Sequence, residues 1–180
     1  MNQLIFVFIF SLLFLHPKNL NAQNKTVENM GDAILIVLPT ATLATTFIIG
    51  DTKGSWQFTK ALLLTEAITY GLKTTINKQR PDMSNTNSFP SGHTSTTFQS
   101  ASFIHRRYGF KKSIPAYALA GFTAFSRIDA KKHDGLDVLA GAIIGIGSSY
   151  LFTTEYQKEH LELTFSSQKN NYLLGLTYKF

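Results

Sequence analysis

The chain contains no cysteine in its 180 residues. Disulfide bridges, zinc sites built on thiolates and thiol nucleophiles are therefore excluded. An oxidising compartment would neither stabilise nor damage such a chain. Any chemistry must come from histidine, hydroxyl, carboxylate or cationic side chains.

The sequence also lacks the pattern of a nucleic-acid-binding protein. Its formal net charge is +6, but no cluster of lysines and arginines alternates with aromatic residues that could stack on bases. We therefore expect no nucleic-acid partner; the positive charge favours an anionic lipid or a phosphate ester. The sequence has no internal repeat or low-complexity tract. Its 44% hydrophobic content predicts one domain with a packed interior.

The N-terminal apolar run is short, and no lysine or arginine precedes it. Residues 4–15 are apolar apart from one serine, Pro17 interrupts the run, and Ala22 offers a small residue for cleavage. Such a run is too short to span a bilayer comfortably but is typical of a secretory signal. We interpret residues 1–22 as a cleaved signal peptide or a short retained anchor helix. Both interpretations make the chain exported or membrane-bound.

Five apolar segments follow, separated by short polar loops, and all five are predicted to be helical. They cover residues 31–50, 55–76, 93–105, 113–126 and 136–152, and the dipeptides GD, KG, YG and DG mark their ends. The fold class is therefore all-α, a bundle of about five core helices. The first and last segments are apolar enough to cross a membrane. The glycines of "GAIIGIGSS" at 141–149 predict close helix packing, because no strand precedes them as in a nucleotide loop.

Basic residues are concentrated in "HRRYGFKK" at 105–112, between the third and fourth segments. This stretch reads either as a solvated turn or, if the segments span a membrane, as a cytoplasmic loop. In the spanning topology, the loops around 77–92 and 127–135 share the outer side. The chain then belongs to a bacterial-type cell envelope, in the inner membrane with these two loops facing the periplasm.

Three separated motifs gather the unusual residues. The second segment ends in "KTTINKQRP", "PSGH" leads into the third, and the fourth runs into "SRIDAKKHDGLD". In this order and at these spacings they resemble the signature of the type 2 phosphatidic acid phosphatase (PAP2) family. That family shares its fold with class A bacterial acid phosphatases and vanadium haloperoxidases. The resemblance covers about residues 31–152 and these motif positions: Lys73, Arg80, Pro81, Pro90, Ser91, Gly92, His93, Ser126, Arg127, His133 and Asp137.

The residue types in these motifs suit a phosphate ester. Lys73, Arg80 and Arg127 supply three positive charges, and an arginine fork can grip two oxygens at once. A helix that starts in "PSGH" would turn its unpaired backbone N–H groups toward a phosphate, and Gly92 leaves room for an oxygen to approach. The resemblance implies that the three cations, together with Ser91 and Gly92, hold the phosphoryl oxygens.

Two histidines permit a two-step transfer. His133 would attack phosphorus, and Asp137, one helical turn later, would accept the other ring N–H and fix the tautomer. His93 would protonate the leaving oxygen and then take a proton from the water that completes the reaction. The resemblance assigns these same roles to the matching residues. It implies a phosphohistidine intermediate and no metal or other cofactor, since the cations stabilise the charge that a metal would otherwise stabilise.

A metal site is the alternative for the same region, because Asp82, Asp129 and Asp134 lie beside the motifs. The region is richer in cations than in metal ligands, which favours phosphate binding. We interpret His105 and His160, which lie outside the motifs, as ordinary polar groups.

The last residues depart from a helical pattern. "LELTFSSQKNNYLLGLTYKF" at 161–180 alternates apolar and polar residues on both sides of "QKNN", which predicts a β-hairpin. Such an ending resembles the last strands of outer-membrane barrels, but one hairpin cannot close a barrel. The sequence leaves its role open.

Several functions are consistent with these observations. The first is a phosphatase acting on the monoester or pyrophosphate of a lipid: phosphatidate, phosphatidylglycerophosphate, undecaprenyl pyrophosphate or lipid A. Since the mean hydropathy is only +0.01, a soluble, non-specific periplasmic acid phosphatase is the second. Haloperoxidase chemistry would require elements for which the chain has little room. A non-enzymatic outer-membrane-associated protein would leave the motifs unexplained. The oligomeric state is left open.

Overall fold

The computed structural model describes residues 25–156, 161–168 and 171–178. Within these ranges the chain forms a helical bundle followed by a two-stranded antiparallel hairpin, which confirms the predicted fold class. The elements are α1 (Lys25–Ile48), α2 (Thr52–Ile76), α3 (Gly92–Tyr108), α4 (Phe110–Asp129), α5 (Gly135–Phe152), β1 (Leu161–Gln168) and β2 (Asn171–Tyr178). The predicted signal peptide or anchor at 1–22 lies outside the described residues.

The helices correspond to the five predicted segments, with shifted ends. The first helix begins at Lys25, before the first apolar residues of its segment. The second begins at Thr52, because the Asp51 carboxylate caps it by accepting a hydrogen bond from the Gly54 N–H at 2.8 Å. The dipeptide KG therefore lies inside the first turn rather than at a boundary. Gly109, at a φ of +96°, separates α3 from α4 as YG predicts.

Helix α3 is the centre of the bundle and contacts each of the other four helices. Its hydroxyl side chains are buried rather than solvated. They bond back to carbonyls of the preceding turn, as Thr97 Oγ1 does to His93 O at 2.8 Å and Ser100 Oγ to Thr96 O at 3.0 Å. A hydroxyl-rich sequence can therefore form the core helix, because its hydroxyl groups, apart from the buried Ser102 Oγ, find hydrogen-bond partners nearby among the described residues.

Helices α3 and α5 pack through glycine, as "GAIIGIGSS" predicts. A Cβ on Gly141 would lie 2.5 Å from the Ser91 carbonyl oxygen, and one on Gly145 would lie 2.2 Å from the Ser95 carbonyl oxygen. No side chain fits at either position, so the two backbones lie in direct contact. This packing fixes the start of α5 against the start of α3.

A buried ion pair closes one end of the bundle. The Arg107 guanidinium donates two hydrogen bonds to the Asp51 carboxylate, at 2.8 and 2.6 Å, and the Tyr108 hydroxyl donates a third at 2.6 Å. A cavity of about 300 Å³ opens at the same end, lined by residues of "HRRYGFKK" together with Tyr150, Glu155 and Tyr156. None of the PAP2-like motif residues lines this cavity.

Two of the described helices, α1 and α5, are long and apolar enough to cross a membrane. They are the two that the sequence singled out. Large apolar side chains on both are exposed on the outside of the bundle, including Ile36, Ile48, Ile143 and Leu151.

The predicted C-terminal hairpin is confirmed. Strands β1 and β2 pair antiparallel, with Leu161 opposite Tyr178 and Gln168 opposite Asn171. The rings of Phe165 and Tyr172 stack with centroids 6.0 Å apart, and both side chains are exposed.

Candidate active site

The three motifs meet at the end of the bundle opposite Arg107. The C-termini of α2 and α4 and the N-termini of α3 and α5 lie there, joined by the segments 77–91 and 130–134. The Asp82 N–H donates to the Lys131 carbonyl at 3.0 Å, and Lys132 Nζ donates to the Asp82 carboxylate at 2.7 Å. The two loops that the charge pattern placed on one side therefore pack against each other.

The start of α3 is built by "PSGH". Ser91 is fully buried and caps the helix: its hydroxyl oxygen accepts from the Thr94 N–H at 3.4 Å and from the Thr94 hydroxyl at 3.0 Å. A Cβ on Gly92 would lie 3.8 Å from Lys73 Cε, so Gly92 places backbone directly beside this cation. His93 follows in the first turn, where the helix N-terminus favours an anion.

Lys73 and Arg80 come from either side of the end of α2. Lys73 Nζ donates to the carbonyl oxygens of Asn87 at 2.8 Å and Pro90 at 2.7 Å, which uses two of its three N–H groups and ties "PSGH" to α2. Arg80 Nε is buried and has no hydrogen-bond partner among the described residues. A buried guanidinium N–H is costly without an acceptor, so it marks a point where an anion would bind favourably.

His133 lies beside Asp137, and both are buried. Its Nδ1 is 3.6 Å from Asp137 Oδ2, too long for a hydrogen bond. The carboxylate already accepts from Lys78 Nζ at 2.7 Å, from the Ser88 hydroxyl and from the Asp134 N–H at 3.1 Å. The predicted pair is thus adjacent in the structure, but its hydrogen bond is not formed.

The ring of His133 is surrounded by cations. Burial and the charges of Lys73 and Arg80 hold its pKa well below the usual value, and the Asp137 carboxylate opposes them only in part. His133 is consequently neutral at physiological pH, which is the state that a nucleophilic imidazole requires.

His93 and Arg127 meet at a carboxylate that the motifs do not contain. Asp32 Oδ1, from α1, lies 2.8 Å from His93 Nε2 and accepts from Arg127 Nη1 at 2.7 Å. Arg127 also donates to the Glu28 carbonyl at 2.7 Å and to the Ser126 hydroxyl at 3.1 Å. Three of the five guanidinium N–H groups are therefore held by the protein, which leaves two for a ligand.

Sequence reasoning missed Asp32, Lys78 and Ser88. Asp32 had a signal: it is an ionisable residue directly before the uncharged run 33–48 of its helix, and such residues are functional candidates. Lys78 and Ser88 had none, because their partners lie on α5 and only the fold brings them together.

Two of the three aspartates of the alternative metal site are paired with lysines: Asp82 with Lys132, and Asp134 with Lys78 while it caps α5. Asp129 Oδ2 is buried without a hydrogen-bond partner among the described residues. Among the described residues, no group of three or more histidine, aspartate or glutamate side chains could hold a metal ion.

Comparison with known proteins places this arrangement in a family. The family model described as "PAP2 superfamily" matches residues 54–161, which include every motif position. The chain belongs to the PAP2 superfamily. The resemblance that the motifs indicated is confirmed.

Two curated relatives narrow the class of PAP2 enzyme. The chain is 31% identical to a lipid A 4'-phosphatase of Helicobacter pylori, and the alignment covers all of both proteins. It is 43% identical over 77 residues to a lipid A 1-phosphatase of Porphyromonas gingivalis, which covers 41% of this chain and 17% of that protein.

A solved structure supports the fold. The crystal structure of Aquifex aeolicus LpxE superposes with a TM-score of 0.64 at 22% identity, covering 81% of this chain and 92% of that one. At this level of identity the likeness supports the fold alone. The family match and the full-length relative show that this PAP2 protein is a phosphoric monoester hydrolase.

Proposed function

We propose that this PAP2 enzyme hydrolyses a phosphate monoester on a lipid of the lipid A class and releases inorganic phosphate. The observation that carries the proposal is the full-length match to a lipid A 4'-phosphatase, combined with a site of two histidines and three cations at one end of a bundle. Lipid A carries its phosphates on sugar hydroxyls, so the leaving group is a poor alkoxide that needs a proton donor. His93 fits that need.

The reaction proceeds in two in-line steps. His133 attacks phosphorus through Nε2, since its Nδ1 faces Asp137; the P–O bond to the sugar breaks, and His93 gives its proton to the leaving oxygen. Water then attacks the phosphohistidine, His93 accepts a proton from it, and the P–N bond breaks to release inorganic phosphate. Asp137 stabilises the positive charge that forms on the ring of His133.

Three cations stabilise the transferring phosphoryl group. The unpaired Nε–H of Arg80 donates to one oxygen, and the N–H groups that the protein leaves open on Lys73 and Arg127 donate to the others. The Gly92 N–H at the start of α3 adds a donor oriented by the helix. The Ser91 N–H is already donated to the Asp137 carbonyl oxygen at 2.9 Å, so Ser91 contributes through its hydroxyl proton. These contacts act without a metal ion.

The active-site end of the bundle faces the periplasm in this proposal. Helices α1 and α5 cross the inner membrane, with their exposed apolar side chains toward lipid. The basic residues of "HRRYGFKK" lie at the other end, which the positive-inside tendency places in the cytoplasm. A lipid phosphate in the outer leaflet would then reach the site directly.

The test is a regiochemical assay on the purified full chain in detergent micelles. Lipid A that carries both phosphates is incubated with the wild type and with His133→Ala, and mass spectrometry of the product identifies which phosphate is lost. We expect the wild type to remove one phosphate and His133→Ala to remove none. Rapid hydrolysis of soluble aryl phosphates, with lipid A untouched, would instead favour a non-specific acid phosphatase.

Two further measurements address the other parts of the proposal. Hydrolysis of undecaprenyl pyrophosphate tests whether the enzyme also cleaves an acid anhydride. Hydrolysis of phosphatidate and phosphatidylglycerophosphate tests whether it accepts other lipid phosphate monoesters. Extraction of membranes with carbonate separates an integral protein, which stays in the pellet, from a soluble or peripheral one. Recovery in the supernatant would contradict the membrane location.

A further inference from the structure

Asp32 is a carboxylate in the candidate active site that belongs to none of the three motifs. It lies on α1, which precedes the residues matched by the family model, 54–161. One of its oxygens, Oδ1, contacts both His93 Nε2 at 2.8 Å and Arg127 Nη1 at 2.7 Å. A single oxygen thus connects the proton donor of the proposed mechanism with a phosphate-binding cation.

The backbone of α1 fixes the position of this carboxylate. A Cβ on Gly31 would lie 2.0 Å from Ser126 Oγ and 2.8 Å from Arg127 Nη2, so α1 and α4 pack without a side chain between them. Arg127 also donates to the Glu28 carbonyl at 2.7 Å, one turn before Asp32. The register of α1 is therefore set by the site itself, and Asp32, although its side chain is half exposed, is held beside His93 by these contacts.

His93 needs a nearby anion if it is to carry a proton at neutral pH. Burial, together with the charges of Arg127 from α4 and Arg80 from the segment after α2, lowers the pKa of His93. The hydrogen bond and the charge of Asp32 from α1 oppose this shift. Lys73 from α2 lies alongside Gly92, the residue before His93. Cations favour the neutral imidazole, whereas a hydrogen-bonded carboxylate favours the imidazolium.

We propose that Asp32 is a positioning residue that orients His93 through Nε2 and stabilises its protonated form, which is the form that acts as the leaving-group acid. This inference rests on the proposed phosphatase mechanism. With Nε2–H donated to Asp32, the proton for the leaving oxygen is carried on Nδ1. When the P–O bond breaks, that proton moves to the leaving oxygen, and the neutral ring keeps its hydrogen bond to Asp32. The hydrolytic water then returns a proton to Nδ1.

The kinetic test is Asp32→Asn, which keeps an oxygen acceptor for both contacts but removes the charge. We expect kcat on an alkyl or lipid phosphate to fall about 10- to 100-fold and kcat on p-nitrophenyl phosphate to fall much less, because an aryl leaving group needs less protonation. The basic limb of the kcat–pH profile should move to lower pH. Glu155→Gln, which removes one negative charge at the opposite end, is the matched control and should behave as wild type.

A second measurement does not depend on any substrate. The ring of His93 is titrated by NMR in the histidine-labelled full chain, with its signal assigned by its loss in His93→Gln. Asp32→Asn should lower the titration midpoint of His93, while Glu155→Gln should leave it in place. This readout would support or contradict the Asp32–His93 coupling even if lipid A proved not to be the substrate.

Three results would overturn the proposal. The first is an unchanged His93 midpoint in Asp32→Asn. The second is an equal loss of kcat on alkyl and aryl phosphates, which would indicate a purely structural role. The third is a lower KM with undiminished kcat, which would show that Asp32 only competes with phosphate for Arg127.

Discussion

The Ser91 N–H donates a hydrogen bond to the Asp137 carbonyl oxygen at 2.9 Å. This bond joins the start of α3 to the first turn of α5 through backbone atoms alone. It therefore positions the residues of "PSGH" relative to His133 and Asp137 whatever the side chain at 137 does. A mutation of the Asp137 side chain can therefore remove its negative charge while this backbone bond still holds the two helix starts together.

Asp137→Asn should keep the fold and lose most of the activity. The amide can still accept from the Asp134 N–H, and Lys78 keeps Asp134 as a partner, so the capping interactions survive in part. The negative charge that stabilises the His133 imidazolium is lost, and by analogy with other orienting carboxylates kcat should fall about a thousandfold or more. Steady-state kinetics measures the loss of kcat, and thermal unfolding of the same preparation checks that the fold is kept. Wild-type kcat in a folded Asp137→Asn protein would contradict the role given to Asp137.

The ionisation of His133 gives a second prediction. Burial and the charges of Lys73 and Arg80 lower the pKa of its ring, so the neutral form persists below the usual histidine value of about 6.5. Activity that requires neutral His133 is retained as pH falls through that value and is lost only at lower pH. Lys73→Met removes one cation and should move the midpoint of His133 upward.

NMR titration of the histidine rings is the suitable measurement. A phosphate monoester loses its second proton at about pH 6. A pH–rate profile alone therefore cannot distinguish ionisation of the substrate from ionisation of the enzyme. A wild-type midpoint for His133 at or above the usual value, or no upward shift in Lys73→Met, would show that the cations do not act on this ring as the structure indicates.

Much of this architecture could be predicted from the sequence because its signals are local. Apolar segments, glycine boundaries and motif spacing act over a few residues, and they predicted five helices and a β-hairpin over residues 161–180. The contacts of Asp32 could not be predicted in this way. Its partners His93 and Arg127 lie 61 and 95 residues further along the chain. The packing of α1 on both α3 and α4 brings them together.

The same limit applies to Asp137. Spacing of four residues predicted its proximity to His133, which the structure has. Its hydrogen bonds to Lys78 and Ser88 come from the segment after α2 and depend on how that segment packs on α5. Local spacing therefore identified the pair of His133 and Asp137. That Lys78 and Ser88 also bind the Asp137 carboxylate could be learned only from the folded structure.

The packing of α5 on α3 predicts a sharp contrast between two glycines. Gly141→Ala places a Cβ 2.5 Å from the Ser91 carbonyl oxygen, which forces a backbone shift at the site and should cost about 1–3 kcal/mol of stability. Gly147→Ala, on the same helix, meets nothing within 4 Å and should stabilise by up to about 1 kcal/mol through helix propensity. Thermal unfolding and kcat are measured for both. A Gly141→Ala protein as stable and active as Gly147→Ala would contradict the close packing.

The last prediction concerns metal removal and vanadate. Three carboxylates around the site already have cationic partners: Asp137 with Lys78, Asp82 with Lys132, and Asp32 with Arg127. Meanwhile Arg80 Nε, Lys73 and Arg127 offer donors to an anion, so a phosphoryl dianion needs no divalent cation for charge balance. We expect EDTA to leave the purified enzyme active.

Vanadate should inhibit competitively in the micromolar to millimolar range. It adopts five-coordinate geometry with a histidine nitrogen in the apical position and so imitates the in-line transition state, to which an enzyme binds more tightly than to its substrate. His133→Ala removes the apical nitrogen and should lose vanadate binding, measured by calorimetry, while Gly147→Ala should bind vanadate as the wild type does. An enzyme that loses its activity in EDTA and regains it with Mg²⁺ or Zn²⁺ would require a metal at the Asp129–Asp137 segment instead, since the protein cations would then be insufficient to stabilise the transferring group.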